Sequence, residues 1–105
     1  MDNSTGNHGT SIRDLIGPVT EQIPAGHWMS YGDLAAQIDS HPRPVSRCMA
    51  RNVMPNAHRI LRANGSVSPG FRWVDGRSDD PVDVLRAEGL TFTAGRADPG
   101  RRWRP

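Results

Sequence analysis

From Ser11 onward the apolar residues Ile12, Leu15, Ile16, Val19 and Ile23 recur at three- and four-residue steps, which predicts a helix with one buried face. Pro18 interrupts it, so either the helix kinks there or a turn precedes a shorter helix with Pro18 in its first turn. Pro24-Ala25-Gly26 ends the element. Trp28 and Met29 form a short extended approach to Ser30, whose hydroxyl caps a second helix over Tyr31 to Ile38, with Asp33 completing a variant of the capping box. Leu34, Ala35 and Ile38 form its inner face. His41-Pro42-Arg43-Pro44 reads as a turn, because each proline pushes its predecessor out of helical space. A third helix follows from Pro44 to about Val53, with Val45, Cys48 and Met49 inward and Arg47 and Arg51 outward.

Ile60-Leu61 and Val67 flank the segment Arg62 to Ser66, where Asn64-Gly65 offers the positive φ of a tight hairpin. Two short helices, a tight turn and then a hairpin predict a winged helix-turn-helix; a plain packed pair of helices is the competing reading. Pro69 to Asp80 is loop-like and holds Phe71, Arg72 and Trp73. Asp80-Pro81 reads as cap and first position of a last helix with Val82 and Leu85 inside and Gly89 as terminator. Leu90-Thr91-Phe92 is a short strand, and Ala94 to Pro105 is an Arg- and Gly-rich tail. Met1 to Thr10 is too polar to offset its ordering entropy and reads as disordered. The expectation is a disordered tail over residues 1–10 and one α+β, mainly α domain over residues 11–105.

Composition narrows this picture without redirecting it. A chain of 105 residues buries about two-thirds of its unfolded surface around one modest core. The thirteen basic residues are all arginine, set against eleven acids for a net charge of +2. The bias towards polyanions is mild. Guanidinium groups suit phosphates and base stacking, although the coding composition of a genome is the preferred account of an all-arginine inventory. The single cysteine, Cys48, excludes an intramolecular disulfide and a cysteine-based zinc site, and fits a reducing cytoplasm. No apolar run reaches about 18 residues and the start lacks a signal-peptide pattern. No membrane association, metal or cofactor is expected.

The chemistry-bearing stretch is Met54-Pro55-Asn56-Ala57-His58-Arg59-Ile60-Leu61. It puts a His and an Arg at the edge of ordered structure, yet beside His58, where a nucleophile would be useful, stands Ala57.

Four stretches in order carry a resemblance: Ser30-Tyr31-Gly32-Asp33-Leu34-Ala35; Arg43-Pro44-Val45-Ser46-Arg47 with Asn52; Ala57-His58-Arg59-Ile60 followed by Asn64-Gly65-Ser66; and Arg86-Ala87-Glu88-Gly89. Together they resemble the DNA-binding domain of the O6-alkylguanine-DNA alkyltransferases, over roughly Ile12 to Phe92. The family's repair enzymes carry Pro-Cys-His-Arg, whose cysteine takes the alkyl group from a flipped guanine. Here Asn56 and Ala57 replace the proline and cysteine. The sequence is similar to the alkyltransferase-like branch, which binds alkylated guanine without repairing it, and Arg101 to Pro105 with Trp103 is similar to that branch's Trp-x-Pro tail.

The resemblance implies a non-enzymatic, cofactor-free, monomeric protein. It would bind double-stranded DNA containing O6-alkylguanine, flip the lesion and flag it for nucleotide excision repair proteins, in the cytoplasm and at the nucleoid. Tyr31 would crowd the phosphate beside the target, Arg43 would fill the vacated stack, and Ser46, Arg47 and Arg51 would face DNA, in the minor groove. Asn52, Ala57, Ser66 and Arg72 would form the lesion pocket. His58 and Glu88 match the family's catalytic pair and would be vestigial, because an alanine methyl cannot be deprotonated or alkylated. The vacancy at Ala57 would admit bulkier alkyl groups.

Competing readings stand beside these. Tyr31 is also an ordinary helix-start aromatic, Arg43 and Arg72 solvated loop residues, Asn52 a helix-end cap, and Trp28 and Trp73 packing residues. Cys48 faces the core, which weighs against an acceptor role. The spacing from Tyr31 to Arg43 and the link from Asn52 to Ala57 are both shorter than in the repair enzymes. The alternative function is a winged-helix regulator or adaptor without lesion specificity.

Overall fold

The structure, a computed structural model, describes residues 11–105; the tail expected over residues 1–10 lies outside the described residues. Helix α1 (Ile12–Glu21) is capped by the Ser11 hydroxyl, which accepts from the Asp14 amide at 3.3 Å. Pro18 lies inside α1 and neither ends nor delays it. The carbonyl that Pro18 leaves without a donor belongs to exposed Asp14 and remains open to water, which limits the cost. Leu15, expected inside, is 40% exposed, so the buried stripe narrows to Ile16 and Thr20 with Ile12 and Val19 beside it.

After β1 (Met29–Ser30) comes α2 (Tyr31–Gln37), which opens with the predicted capping box: the Asp33 amide donates to Ser30 Oγ and the Ser30 amide to Asp33 Oδ2. Leu34 and Ala35 are buried and Ile38 packs partly against the same core. Helix α3 corrects the expected boundaries, running from Pro42 to Met49 rather than from Pro44 to Val53. Both prolines fall in its first turn, where amides have no intrahelical acceptor and a missing N–H costs nothing. Arg43 is therefore a helical residue and not part of a turn. Val45, Cys48 and Met49 face inward and Arg47 and Arg51 outward, as expected.

A 3-10 turn (Ala57–Arg59) leads into β2 (Ile60–Leu61), and α4 (Pro81–Ala87) begins at the Asp80 cap with Pro81 in its first position. Strands β3 (Phe92–Thr93) and β4 (Arg96–Ala97) pair antiparallel through Ala94-Gly95, where φ is +52° and +77°. This is a type I′ pattern. The hairpin expected around Asn64-Gly65 is replaced by a different pairing. β2 pairs in parallel with β1, Met29 opposite Ile60 and Ser30 opposite Leu61. Asn64-Gly65 does form a tight turn, closed by Gly65 N to Arg62 O at 2.8 Å and Arg62 N to Ser66 O at 2.9 Å. What holds this turn is Ala97, whose amide donates to the Gly65 carbonyl at 2.9 Å. Gly65 has φ +86°, and a Cβ there would meet the Ala97 backbone at 3.0 Å. The helix pair and the α+β, mainly α class stand, while the wing is a turn docked on β4.

Two core clusters lie on either side of the β1–β2 pair. Met29 and Ile60 point into the cluster of α1, α2 and α3; Trp28 and Leu61 point into the other, with Leu85, Leu90 and Ala97. This follows from the alternation of side chains along a strand. The Arg- and Gly-rich tail is built into the fold. A 3-10 turn (Pro99–Arg101) brings Arg102 opposite Trp28 in a parallel bridge, and Trp103 packs against the first cluster.

Candidate nucleic-acid interface

A cavity of about 440 Å³ opens between the end of α3, the Ala57–Arg59 turn and the loop 68–77. Ala57 and His58 line it, with Tyr31, Ser46 and Asn52 bordering it from α2, α3 and the residues just past α3. The turn that presents Ala57 is set by Asn56, at φ +57°, whose side-chain amide donates to the Thr20 and Glu21 carbonyls at the end of α1. Proline cannot adopt that φ. The loop from Asn52 to Ala57 is thus built on a left-handed Asn56 anchored to the end of α1.

His58 is buried, with Nε2 2.8 Å from Glu88 Oε2. Arg59 closes on the same carboxylate with two bonds of 3.0 Å and donates to the Ile23 carbonyl at 2.7 Å. Burial pushes the Glu88 carboxyl up, but hydrogen bonds from Arg59 and His58, with their charges, more than offset this and hold it below its ordinary value. Glu88 remains ionised and His58 stays fixed. The expected nucleophile position holds only a methyl group. Cys48 is buried in the core, its sulfur 3.5 Å from Asn52 Nδ2.

The far wall is aromatic. The Trp73 ring lies 5.3 Å from His58 and 5.2 Å from Phe71, the latter edge-on. Arg77 covers Trp73 at 4.1 Å, and the indole N–H donates to the Asp79 carbonyl. Trp73 packs against these side chains and also lines the cavity; Trp28 is fully buried core, as expected. Arg72 lines the cavity and is exposed.

Next to the cavity runs a shallower groove lined by Arg43, Arg47 and Arg62, with Tyr31 and Ser46 shared between the two depressions. The Tyr31 hydroxyl is pushed up in pKa by burial, so it stays neutral. A neutral phenol can approach a phosphate without repulsion.

The fold therefore gathers Tyr31, Arg43, Ser46 and Arg47 on one surface and Asn52, Ala57 and Arg72 in one cavity. Arg51 borders neither depression. Ser66 does not line the cavity: its hydroxyl donates to Asn64 Oδ1 at 2.6 Å within the docked turn, and Ser68 takes the place expected of it. Asn52 lines the cavity while its amide donates to the Cys48 carbonyl at 2.8 Å, so it also caps α3. Sequence reasoning misses Arg62, Ser68 and Val53, the last 66% exposed on the rim. An exposed valine just past a helix end carries no signal of its own; Arg62 and Ser68, flanking the predicted turn, do.

Residues 13–90 match the family described as 6-O-methylguanine DNA methyltransferase, DNA binding domain. The chain is 40% identical over 58 residues to a methylated-DNA–protein-cysteine methyltransferase of Methanopyrus kandleri, a match covering 52% of this chain and 43% of that protein. It is 31% identical over 85 residues to the enzyme of the same name from Candida albicans, covering 78% and 46%. It thus spans about half the length of these curated relatives. Among solved structures it is similar to S. pombe Atl1 in complex with damaged DNA containing O6-carboxymethylguanine, with a TM-score of 0.69 and 21% identity over 89% of this chain and 94% of that one. A second S. pombe ATL–DNA complex gives a TM-score of 0.64 at 22% identity, with the same coverage. The match over residues 13–90 takes in both the His58–Glu88 pair and the helix pair beside it, and the chain belongs to the 6-O-methylguanine DNA methyltransferase family through its DNA-binding domain.

Proposed function

We propose that this protein recognises O6-alkylguanine in duplex DNA, rotates the damaged base into the cavity beside Ala57, and holds it for nucleotide excision repair without removing the alkyl group. The observation that carries this reading is the cavity itself, with a methyl group next to an intact His58–Glu88 pair and an arginine-lined groove alongside. Transfer of the alkyl group needs a thiolate to displace guanine from the alkyl carbon. No thiol lines this cavity among the described residues. Binding needs only shape, stacking and charge, and those remain: Trp73 and Phe71 offer aromatic faces, while Arg43, Arg47 and Arg62 face the backbone of a docked duplex. The S. pombe relative was solved with a damaged duplex, which supports the same partner for this chain.

In this reading Tyr31 presses on the phosphate of the target nucleotide and Arg43, in the first turn of α3, occupies the vacated stack. Flipping costs a few kcal/mol, least for a damaged base, and a planar guanidinium offsets part of that cost. Each of the groove arginines that neutralises a phosphate adds about −0.9 to the slope of log affinity against log salt.

Titration of matched duplexes containing guanine or O6-methylguanine, at equal salt, tests the proposal. Tighter binding of the alkylated duplex is expected, and equal binding refutes lesion recognition. Intact-mass measurement after incubation with methylated DNA should show no added methyl group. A regulator lacking lesion specificity predicts that Arg43→Ala weakens both duplexes alike; the lesion reader should lose mainly its discrimination.

A further inference from the structure

We infer that Arg102, in the C-terminal tail, is a positioning residue for Tyr31, acting through the capping box at the start of α2; this rests on the lesion-flipping reading above. Arg102 lines neither depression. Its guanidinium instead spans both halves of the cap: Nε donates to Asp33 Oδ2 at 2.7 Å, and Nη2 to Asp33 Oδ1 at 3.1 Å and to Ser30 Oγ at 3.0 Å. Tyr31 follows Ser30 directly and is the first residue of a helix only seven residues long. A helix that short has little cooperative stability of its own. Its first turn is fixed by what holds Ser30 and Asp33.

The contact is more than a surface ion pair. The side chains are 23% and 17% exposed, the guanidinium lies 5.4 Å over the Trp28 ring, and the Asp33 carboxyl, raised by burial, is brought below its ordinary value by Arg102 and Ser30. The tail approaches by its own backbone: Trp28 N donates to the Arg101 carbonyl, and Trp103 N to the Trp28 carbonyl. Trp28 leads into β1, β1 pairs with β2, and β2 follows the turn bearing Ala57 and His58. Tail, Tyr31 and cavity turn are thus joined through consecutive strand-like contacts. A side chain that must press on a phosphate is effective only when its backbone is held in the productive geometry.

Because the backbone bonds to Trp28 and the packing of Trp103 do not involve the guanidinium, removing that group should leave the tail docked. Arg102→Gln in the full chain should lower the ratio of affinities for O6-methylguanine and guanine duplexes at least fivefold, while changing affinity for the guanine duplex less than twofold. Arg102→Lys, which keeps the charge and one bond, should restore part of the ratio. In a Tyr31→Phe background Arg102→Gln should cause no further loss, since coupled residues do not add. An unchanged ratio, parallel weakening on both duplexes, or a full additional loss in the Tyr31→Phe background overturns the inference. Should Arg102→Gln not fold, Asp33→Asn, which keeps the side-chain volume, takes its place, and the same results support or overturn the inference. Failure of the unsubstituted protein to discriminate removes the lesion-flipping reading and this inference with it. Discrimination that survives in the variant removes this inference alone.

Discussion

Two carboxylates, Glu88 and Asp33, are 19% and 17% exposed, and each receives two guanidinium bonds from an arginine distant in sequence. Glu88 also takes His58 and stands at the C-terminal cap of α4, where a negative charge opposes the helix dipole and the arginine offsets it. Asp33 stands in the first turn of α2, where its charge suits the dipole and its oxygen already accepts the Ser30 amide. The same kind of clamp thus holds the cavity wall against local preference and the start of the Tyr31 helix along it. Where local chemistry opposes the charge, the distant arginine is indispensable; where it agrees, the arginine adds geometry more than stability.

The largest effect expected from this contrast is at Glu88. Glu88→Ala leaves Arg59 and His58 without their acceptor in a mostly buried place, and should destabilise the fold by about 2–4 kcal/mol in chemical denaturation. Asp33→Ala should cost less, about 1–2 kcal/mol, because Ser30 Oγ continues to cap α2 and to accept from Arg102. A loss at Asp33 equal to that at Glu88 would break the distinction. Acidification tests both clamps at once, and more gently, since protonation leaves the side chains in place. Both carboxyls titrate below their ordinary values in the fold. Their contribution is complete above the unfolded values of about 4 and is lost as pH falls through the lower folded ones. The thermal midpoint should therefore drop on acidification below about pH 4, and drop less in an Asp33→Asn, Glu88→Gln double variant. The smallest effect belongs to Arg104, which reaches Asp33 at 3.5 Å but is 62% exposed. Arg104→Ala should shift stability by at most about 0.5 kcal/mol. A larger shift would mean that the tail holds Asp33 by charge and not by the Arg102 fork.

The contrast also marks how far the sequence can be read. Glu88 and His58 are legible because their motifs keep a family order, and the hydrogen bond between them is present. The Ser30 cap is legible because its partner lies three residues on. The Arg102 partnership is not, since nothing near Arg102 in the chain distinguishes it from Arg101 or Arg104. Trp73 escapes for a related reason: a tryptophan in an Arg- and Asp-rich loop gains its position from His58 and Phe71, which only the folded loop brings to it.

The sequence by itself determined the number of helices, the caps of α2 and α4, the inward faces of α2 and α3, the turn at Asn64-Gly65, and the alanine beside His58. These rest on periodicity, on capping and turn chemistry between near neighbours, and on the identity of one residue. The tertiary structure decided that both prolines enter the first turn of α3, that β2 pairs with β1 instead of turning back on itself, and that Ser68 replaces Ser66 at the cavity. It also decided that the tail clamps the helix bearing Tyr31. The strand pairing and the tail clamp depend on which distant backbone or guanidinium satisfies a polar group as it is buried. That partner is found only when the chain has closed, because the local sequence leaves several donors and acceptors equally available.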